Sequence, residues 1–325
     1  MNYKLATSII LLICFNINFL DAKTIKIGLG SCLDQDYPQP IWDSIEKEGL
    51  DYFIFLGDNV YGDSPNGSLR KMEQAYQKQN LMLPTFLDDI TIFSIWDDHD
   101  YGVNDGGNEY KYKKESEAMF LDFWDIDKKD VRYSREGLYF AKNIELHEKT
   151  FKLIFLDTRY FRSKLSFTRG QNFKKKYIKN TDPESTILGT DQWKWLSLEL
   201  NDNFDFLIIF SSIQILPEDH DYEKWGNFPN DRNKLLHKLK RHNKKTILIS
   251  GDRHRSGIYK KDNIYEITAS SLNKPGSSFF ETDKYLLNET YPQANFGLLK
   301  IHKKTIDIEI KDKYGKILNS VSIDY

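Results

Sequence analysis

Cysteine is scarce in this sequence. The 325 residues include only two cysteines, Cys14 and Cys32. Small secreted domains that depend on disulfides carry many more, so a disulfide scaffold is excluded. Cys14 lies in an N-terminal segment that we expect to be removed, which would leave Cys32 without a disulfide partner. An unpaired thiol in an oxidising compartment is a hazard unless it is buried or bound to a metal ion.

The chain also lacks a strong excess of charge and a second long hydrophobic run. Its 46 basic and 48 acidic residues give a formal net charge of -2, which gives no reason to expect a nucleic-acid-binding module. After the N-terminal segment, no apolar run reaches membrane-spanning length, and no internal repeat is present. With 40% hydrophobic residues, the chain suits one large domain.

The N-terminus has the pattern of a secretory signal peptide. Lys4 precedes an apolar stretch from Ile9 to Leu20, which is too short to span a bilayer comfortably. We therefore expect residues 1–22 to be a signal peptide and residues 23–325 to form a single domain, exported to the periplasm or the extracellular space. Cleavage would leave no stable membrane span. An uncleaved anchor and a lipid-modified Cys14 are the alternatives.

The most informative feature is a set of acidic motifs that follow hydrophobic runs. The runs ending at Leu56, Ile95 and Ser250 are rich in β-branched and aromatic residues, as buried strands are. They are followed by Gly57-Asp58-Asn59-Val60-Tyr61, by Trp96-Asp97-Asp98-His99-Asp100 and by Gly251-Asp252-Arg253-His254. A fourth run leads into Ser31-Cys32. Side chains at strand ends of an α/β sheet usually share one crevice.

These motifs predict a metal site. Gathering several carboxylates in one crevice is costly unless cations neutralise them. The donors include carboxylates, a phenol, a thiol and an imidazole, a mixture that favours iron, zinc or manganese, with calcium where only oxygen donors are present. Taken alone, Cys32 is more often a buried packing residue. In an extended segment, alternation would point Asp252 and His254 to one face and Arg253 and Arg255 away from it.

Helical and strand patterns alternate early in the chain, and strands dominate its end. The sequence predicts helices over residues 68–88, 113–123, 191–200 and 231–242. It predicts a strand pair over 138–146 and 151–156, and closing strands over 296–302, 305–310 and 317–323. The polar stretch 161–189 is expected to cross the surface. Two packed sheets flanked by helices satisfy both halves of the pattern.

In their order and spacing, the motifs resemble those of alkaline phosphatase D-type metallophosphoesterases, within the calcineurin-like phosphoesterase superfamily. The resemblance includes the four strand-end motifs and extends to Leu156-Asp157-Thr158-Arg159, Leu188-Gly189 with Gln192-Trp193, and Trp225-Gly226-Asn227-Phe228-Pro229. It implies an α/β fold, a four-layer αββα sandwich of two mixed β-sheets flanked by helices. It also implies a metal-dependent hydrolase of phosphomonoesters, phosphodiesters or both.

The resemblance further implies a role for each site residue. Carried over, Cys32, Tyr61 and His254 bind Fe3+, Asp58 bridges two metals, and Asp98 and Asp252 bind a second ion, Ca2+ or another divalent metal (Zn2+, Mn2+ or Mg2+). A hydroxide that bridges the metals attacks phosphorus, and His99 protonates the leaving oxygen. Arg159 is the expected phosphate clamp, because a guanidinium can bind two oxygens at once. Asp97 is expected to orient a metal ligand; the alternative is that Asp97 and Asp98 exchange these roles.

Two other functions fit the same motifs. One is a non-catalytic phosphate- or metal-binding protein that retains the fold. The other is a dedicated phosphodiesterase or phospholipase that acts on lipids or cell-wall polymers. The physiological ester and the oligomeric state do not follow from the sequence.

Overall fold

The computed structural model describes residues 24–170, 175–242, 244–277 and 280–325. The predicted signal peptide and Cys14 lie outside these residues. Across the described ranges, no helix has the length and apolar character needed to cross a membrane.

The described chain begins with alternating strands and helices and ends in strands. The first half contains β1 (Ile25–Gly30), α1 (Trp42–Glu46), β2 (Tyr52–Leu56), α2 (Arg70–Asn80), β3 (Thr91–Ile95), α3 (Asp98–Tyr101), α4 (Lys113–Phe123), β4 (Phe140–Leu146) and β5 (Lys149–Phe155). The second half contains β6 (Ser166–Arg169), β7 (Lys175–Ile178), α5 (Gly189–Glu199), β8 (Phe206–Phe210), α6 (Pro229–His242), β9 (Lys245–Ser250), β10 (Ser256–Lys261), β11 (Ile264–Thr268), β12 (Leu286–Tyr291), β13 (Asn295–Ile301), β14 (Thr305–Asp312) and β15 (Ile317–Asp324). Short 3-10 helices cover Thr85–Asp89, Val131–Tyr133 and Trp225–Asn227.

The strands form two mixed sheets and one small hairpin. The first sheet has the order β15-β14-β13-β1-β2-β3, and the second has the order β12-β10-β11-β9-β8-β5-β4. In the first sheet β1, β2 and β3 are parallel neighbours. In the second, β5, β8, β9 and β11 are parallel neighbours. The parallel strands of the second sheet therefore have antiparallel strands on both sides, whereas those of the first sheet reach its edge at β3.

Alternation along the strands produces the layers. On β2, Ile54 and Leu56 point into the core between the two sheets, whereas Phe53 and Phe55 point to the opposite face, as the two-residue period of a strand requires. Trp42 of α1 covers that outer face, with its ring centroid 5.3 Å from that of Phe53. Buried residues of α5 and α6 pack on the outer face of the second sheet. These layers confirm the predicted αββα sandwich.

Most predicted elements are present, with two differences. The helix predicted over residues 68–88 is divided into α2 and a 3-10 turn at Thr85–Asp89, because Pro84 disfavours the helical conformation at the residue before it. The surface excursion predicted over 161–189 contains the β6–β7 hairpin. Tyr177 of this hairpin is buried, so the segment is partly anchored to the molecule.

Candidate metal centre

Two glycines allow the strand ends to come close together. Gly57 follows β2 with φ of 101°, and a Cβ atom there would lie 2.6 Å from Cβ of Asp97. Gly251 follows β9 of the second sheet, and its Cβ would lie 2.8 Å from Cβ of Ser31 and 2.9 Å from the carbonyl oxygen of Leu56. Any larger residue at either position would push the strand ends apart. The ends of both sheets therefore meet at one edge of the sandwich.

Four of the predicted ligands have left-handed backbone conformations. The φ angles are 55° for Cys32, 52° for Asp58, 67° for Asp252 and 52° for His254. Non-glycine residues rarely adopt this region, and they concentrate at functional sites when they do. The turn at each strand end brings the side chain into the space between the sheets' ends.

One group of ligand atoms combines sulfur, oxygen and nitrogen. Cys32, Asp58 and His254 each offer an atom that lies within 4.8 Å of the other two. The Tyr61 hydroxyl lies 3.3 Å from Oδ2 of Asp58 and donates a hydrogen bond to it. His254 Nδ1 pairs with the carbonyl oxygen of Lys274 at 2.5 Å, which leaves Nε2 for a metal, the usual arrangement of a metal-binding histidine. We call these four residues the mixed-donor half.

A second group contains only carboxylates. Asp97, Asp98 and Asp252 each offer an oxygen within 4.8 Å of the other two. A third group, of Asp58, Asp98 and His99 with the same spacing, connects it to the mixed-donor half. We call Asp97, Asp98 and Asp252 the carboxylate half. The structure thus brings together all six residues predicted to bind metal.

Asp97 lies among the candidate metal ligands, whereas the sequence suggested that it orients one of them. Its Oδ1 accepts hydrogen bonds from Arg159 Nε at 2.6 Å and from Ser212 Oγ at 2.6 Å. Its Oδ2 is buried and has no hydrogen-bond partner among the described residues. Such an oxygen beside two other carboxylates is suited to bind a cation. The signal in the sequence was its place directly after the β3 strand end.

Burial strongly affects the pKa values of the acidic residues in the site. Burial raises the pKa of Asp58 to about 7, against the attraction of His99. Burial also raises the pKa values of Asp97 and Asp252 well above the ordinary range, and neighbouring carboxylates add to the shift. Burial alone would do the same to Asp98, but His99 and Arg159 hold the pKa of that carboxyl below its usual value. Cations would stabilise all four in the charged form, so these residues fit metal ions.

His99 lies between the metal ligands and the solvent-facing space. Its Nδ1 is 2.7 Å from Oδ1 of Asp63, a residue that the sequence did not single out. Burial alone would lower the pKa of His99, but Asp98, Asp58 and Asp63 raise it to about 11. The neighbouring carboxylates therefore favour the protonated form of His99. No motif pointed to Asp63, which follows Tyr61 by two residues in a loop.

Arg159 does not reach the site's open space. Its guanidinium is fully buried and forms ion pairs with Asp97 and with Glu223 at 2.7 Å, besides a hydrogen bond to the Gly106 carbonyl. Two carboxylates neutralise it, and it is not among the residues that line the adjoining cavity. This arrangement does not favour the expected phosphate contact, because Glu223, distant in the sequence, holds the side chain behind Asp97.

A cavity of about 1020 Å³ opens beside the metal ligands. Asp58, Asp98, His99, Asp252 and His254 line its inner part. Residues of the β6–β7 hairpin and of the segments 104–105, 219–223, 276–277 and 280–282 line most of the rest.

Arg253 and Arg255 also line this cavity, contrary to the alternation predicted for an extended segment. The left-handed conformations of Asp252 and His254 break that alternation. Consecutive side chains from Asp252 to Arg255 therefore reach the same space.

The fold resembles that of phosphatases of known structure. A solved structure of PhoD matches with a TM-score of 0.65 and 14% identity, over 94% of this chain and 69% of that one. GAP50, the anchor in the inner membrane complex of Plasmodium, matches with a TM-score of 0.61 and 11% identity, over 93% of this chain and 89% of that one. The purple acid phosphatase PPD1 from yellow lupin (Lupinus luteus) seeds matches with a TM-score of 0.61 and 10% identity, over 94% of this chain and 54% of that one. At these identities the matches show the fold alone.

The chain belongs to the family of PhoD-like phosphatases, whose model matches residues 147–311, half of the chain. This family makes it a phosphoesterase, a hydrolase. The matched residues include Arg159, Asp252 and His254 but not the ligands before residue 147. No curated protein matches the chain.

Proposed function

We propose that the protein is an exported, metal-dependent phosphoesterase that hydrolyses phosphomonoesters, phosphodiesters or both. The observation that carries this proposal is the convergence of Cys32, Asp58, Asp98 and His254 at one edge of the sandwich. Membership in the PhoD-like phosphatase family supports the reaction class.

The two halves of the centre would bind different ions. The thiol, phenol and imidazole of the mixed-donor half suit Fe3+, with Asp58 shared between both halves, because softer donors favour a transition metal. The carboxylate half suits Ca2+, which prefers oxygen ligands, and would also accept Zn2+, Mn2+ or Mg2+. When bound, the ions would supply Lewis-acid activation of water and of the phosphoryl group.

His99 is the proposed general acid. It lines the cavity next to the ligands, and the neighbouring carboxylates favour its protonated form. Asp63 fixes the ring through Nδ1, so the other ring nitrogen is available to donate a proton to the leaving oxygen. This role requires a leaving group that is held in the cavity.

The cavity supports a substrate larger than inorganic phosphate. Its volume of about 1020 Å³ is at the upper end of ordinary small-molecule sites. Tyr222 and Phe280, which are half or more exposed, line it and offer apolar surface for the organic part of an ester. A diester, including one from a lipid or a cell-wall polymer, has room there as well as a monoester.

Export is proposed from the sequence pattern of residues 1–22, with the periplasm or the extracellular space as the destination. The lone described cysteine, Cys32, is buried, as expected for a thiol that must survive in an oxidising compartment. Fractionation of cells that produce the full chain would test the location and show whether the N-terminus is removed.

The function is tested by hydrolysis of matched aryl phosphate mono- and diesters before and after chelation. We expect activity on at least one of the two, loss with a chelator, and recovery with iron and calcium. Full activity in a metal-free preparation would overturn the proposal. Phosphate binding without turnover of any ester would support a non-catalytic binding protein instead.

A further inference from the structure

Two buried arginines of the site have opposite surroundings. Arg159 is paired with Asp97 and Glu223 and lies behind the carboxylate half. Arg253 is about as deeply buried, with 6% of its surface exposed, but it lies on the cavity wall. It stands in the chain between the ligands Asp252 and His254. Of the two, only Arg253 faces the space that a substrate would occupy.

The guanidinium of Arg253 is held in place, but one of its donor nitrogens has no hydrogen-bond partner among the described residues. It pairs with Glu281 through Nη2, and it lies over the ring of Tyr222, 4.3 Å from the ring centroid. Its Nε is buried and has no hydrogen-bond partner among the residues that the structure describes. A buried N–H of a charged group is rarely left without an acceptor. This donor therefore points to an acceptor that binds from the cavity.

Arg255 provides the contrast on the same wall. Its Nη1 donates to Oγ1 of Thr290 at 2.9 Å, and its Nη2 donates to the carbonyl oxygen of Ser277 at 2.9 Å. Its Nε lies 3.6 Å from the carboxylate of Glu281. All three nitrogens of Arg255 thus have protein partners, so this side chain supports the wall itself.

We propose that Arg253 binds the phosphoryl oxygens of the substrate, in the role that the sequence suggested for Arg159. This inference rests on the proposed function, since it assigns the anionic part of the same ester. A guanidinium held by Glu281 and stacked on Tyr222 is already oriented, so little side-chain freedom is lost when the anion binds. The ligand class is a phosphate mono- or diester, or inorganic phosphate itself.

The proposal is tested by calorimetric titration of inorganic phosphate into the iron- and calcium-loaded protein. We compare the unaltered chain with Arg253→Gln and Arg253→Lys, and we use Arg255→Lys as the matched control. Loss of a hydrogen bond to a charged group should weaken phosphate binding about 10- to 100-fold in Arg253→Gln. The phosphate affinity of Arg253→Lys should lie between those of the unaltered chain and Arg253→Gln, because lysine keeps the charge but not the planar set of donors.

Arg255→Lys should bind phosphate as tightly as the unaltered protein and show only a lower melting temperature. Unchanged phosphate affinity in both Arg253 variants, or an equal loss in Arg255→Lys, would overturn the proposal. If Arg253→Gln fails to fold or to retain metal, Arg253→Lys decides by the same criterion. A second readout is KM for the better aryl ester, which should rise with the phosphate dissociation constant.

Failure of this inference is distinguishable from failure of the proposed function. Turnover by the unaltered protein with unchanged phosphate affinity in the Arg253 variants would remove the role of Arg253 and leave the function intact. Absence of turnover would remove the function, whereas the phosphate titration would still decide whether Arg253 binds the anion.

Discussion

The two halves of the metal centre differ in their donors although both are built from strand ends. The mixed-donor half collects a thiol, a phenol and an imidazole around Asp58. The carboxylate half collects three aspartates, one with an oxygen that has no hydrogen-bond partner among the described residues. The same edge of the sandwich thus carries two chemically distinct groups of donors side by side. This difference supports the proposal that the two halves bind different ions rather than a symmetric pair.

The largest effect is expected from Asp58, which belongs to the mixed-donor half and also lies beside Asp98 of the carboxylate half. Asp58→Asn removes the charge that both metal positions are proposed to share. Loss of an outer partner of a metal ligand commonly costs about 10- to 100-fold, so loss of this ligand should cost at least about 100-fold in kcat/KM. Elemental analysis should show that both metals decline. Retention of both ions at full stoichiometry would show that the halves do not meet at Asp58.

Ligand variants of the separate halves test whether each prefers its own ion. Cys32→Ala should lower iron content and leave calcium binding largely intact, because the thiol belongs to the mixed-donor half. Asp252→Asn should do the reverse. Each should reduce activity by about 100-fold, by the same reasoning as for Asp58. Metal content per folded chain distinguishes the outcomes, and a parallel loss of both ions in each variant would contradict the division into halves.

His99 sits beside both halves but is not proposed to bind metal. His99→Ala should therefore retain both ions. General acid catalysis contributes about 100-fold or more, so alkyl phosphate esters, which have poor leaving groups, should slow by about that factor. Aryl esters with good leaving groups should slow much less. Equal slowing of both substrate classes would remove the leaving-group role.

The smallest expected effect is a pH dependence of the stability of the metal-free protein, caused by the protonation of Asp58. Without metal, burial raises the pKa of this carboxyl to about 7 from its ordinary value of 3.8. Between those values the folded chain holds a proton that the unfolded chain has lost, so the metal-free protein should lose stability as the pH rises from about 4 to about 7.

Metal binding must displace this proton, so metal affinity should fall as the pH drops below 7, by at most about tenfold per pH unit for one proton. Thermal unfolding with and without metal, measured from pH 5 to pH 8, would show the gap between the two forms widening as pH rises. A constant gap would show that Asp58 is already ionised in the metal-free protein.

The ligands could be predicted from the sequence because strand ends carry a local signal. The runs before Asp58, Asp98 and Asp252 are visible as buried strands, and the carboxyl ends of such strands share an edge. The two-sheet architecture followed in the same way from alternating patterns and from the all-strand ending. The family resemblance then assigned Cys32 and Tyr61, which residue type alone would have left as packing residues.

The surroundings of the ligands could not be predicted, for two physical reasons. The alternation rule assumes extended backbone, and the left-handed turns at Asp252 and His254 bring Arg253 into the cavity that the rule would have excluded. The long-range pairing of Arg159 with Glu223 leaves no local pattern. Asp63 was missed in the same way, since its contact with His99 depends on how the loop of Asp63 meets helix α3.

Anomalous diffraction from metal-loaded crystals, measured at the iron absorption edge, would test whether the buried anions at this edge hold two unlike cations. We expect an iron peak among Cys32, Asp58, Tyr61 and His254, and density without an iron signal among Asp97, Asp98 and Asp252. Iron at neither position, or the same iron signal at both, would contradict it.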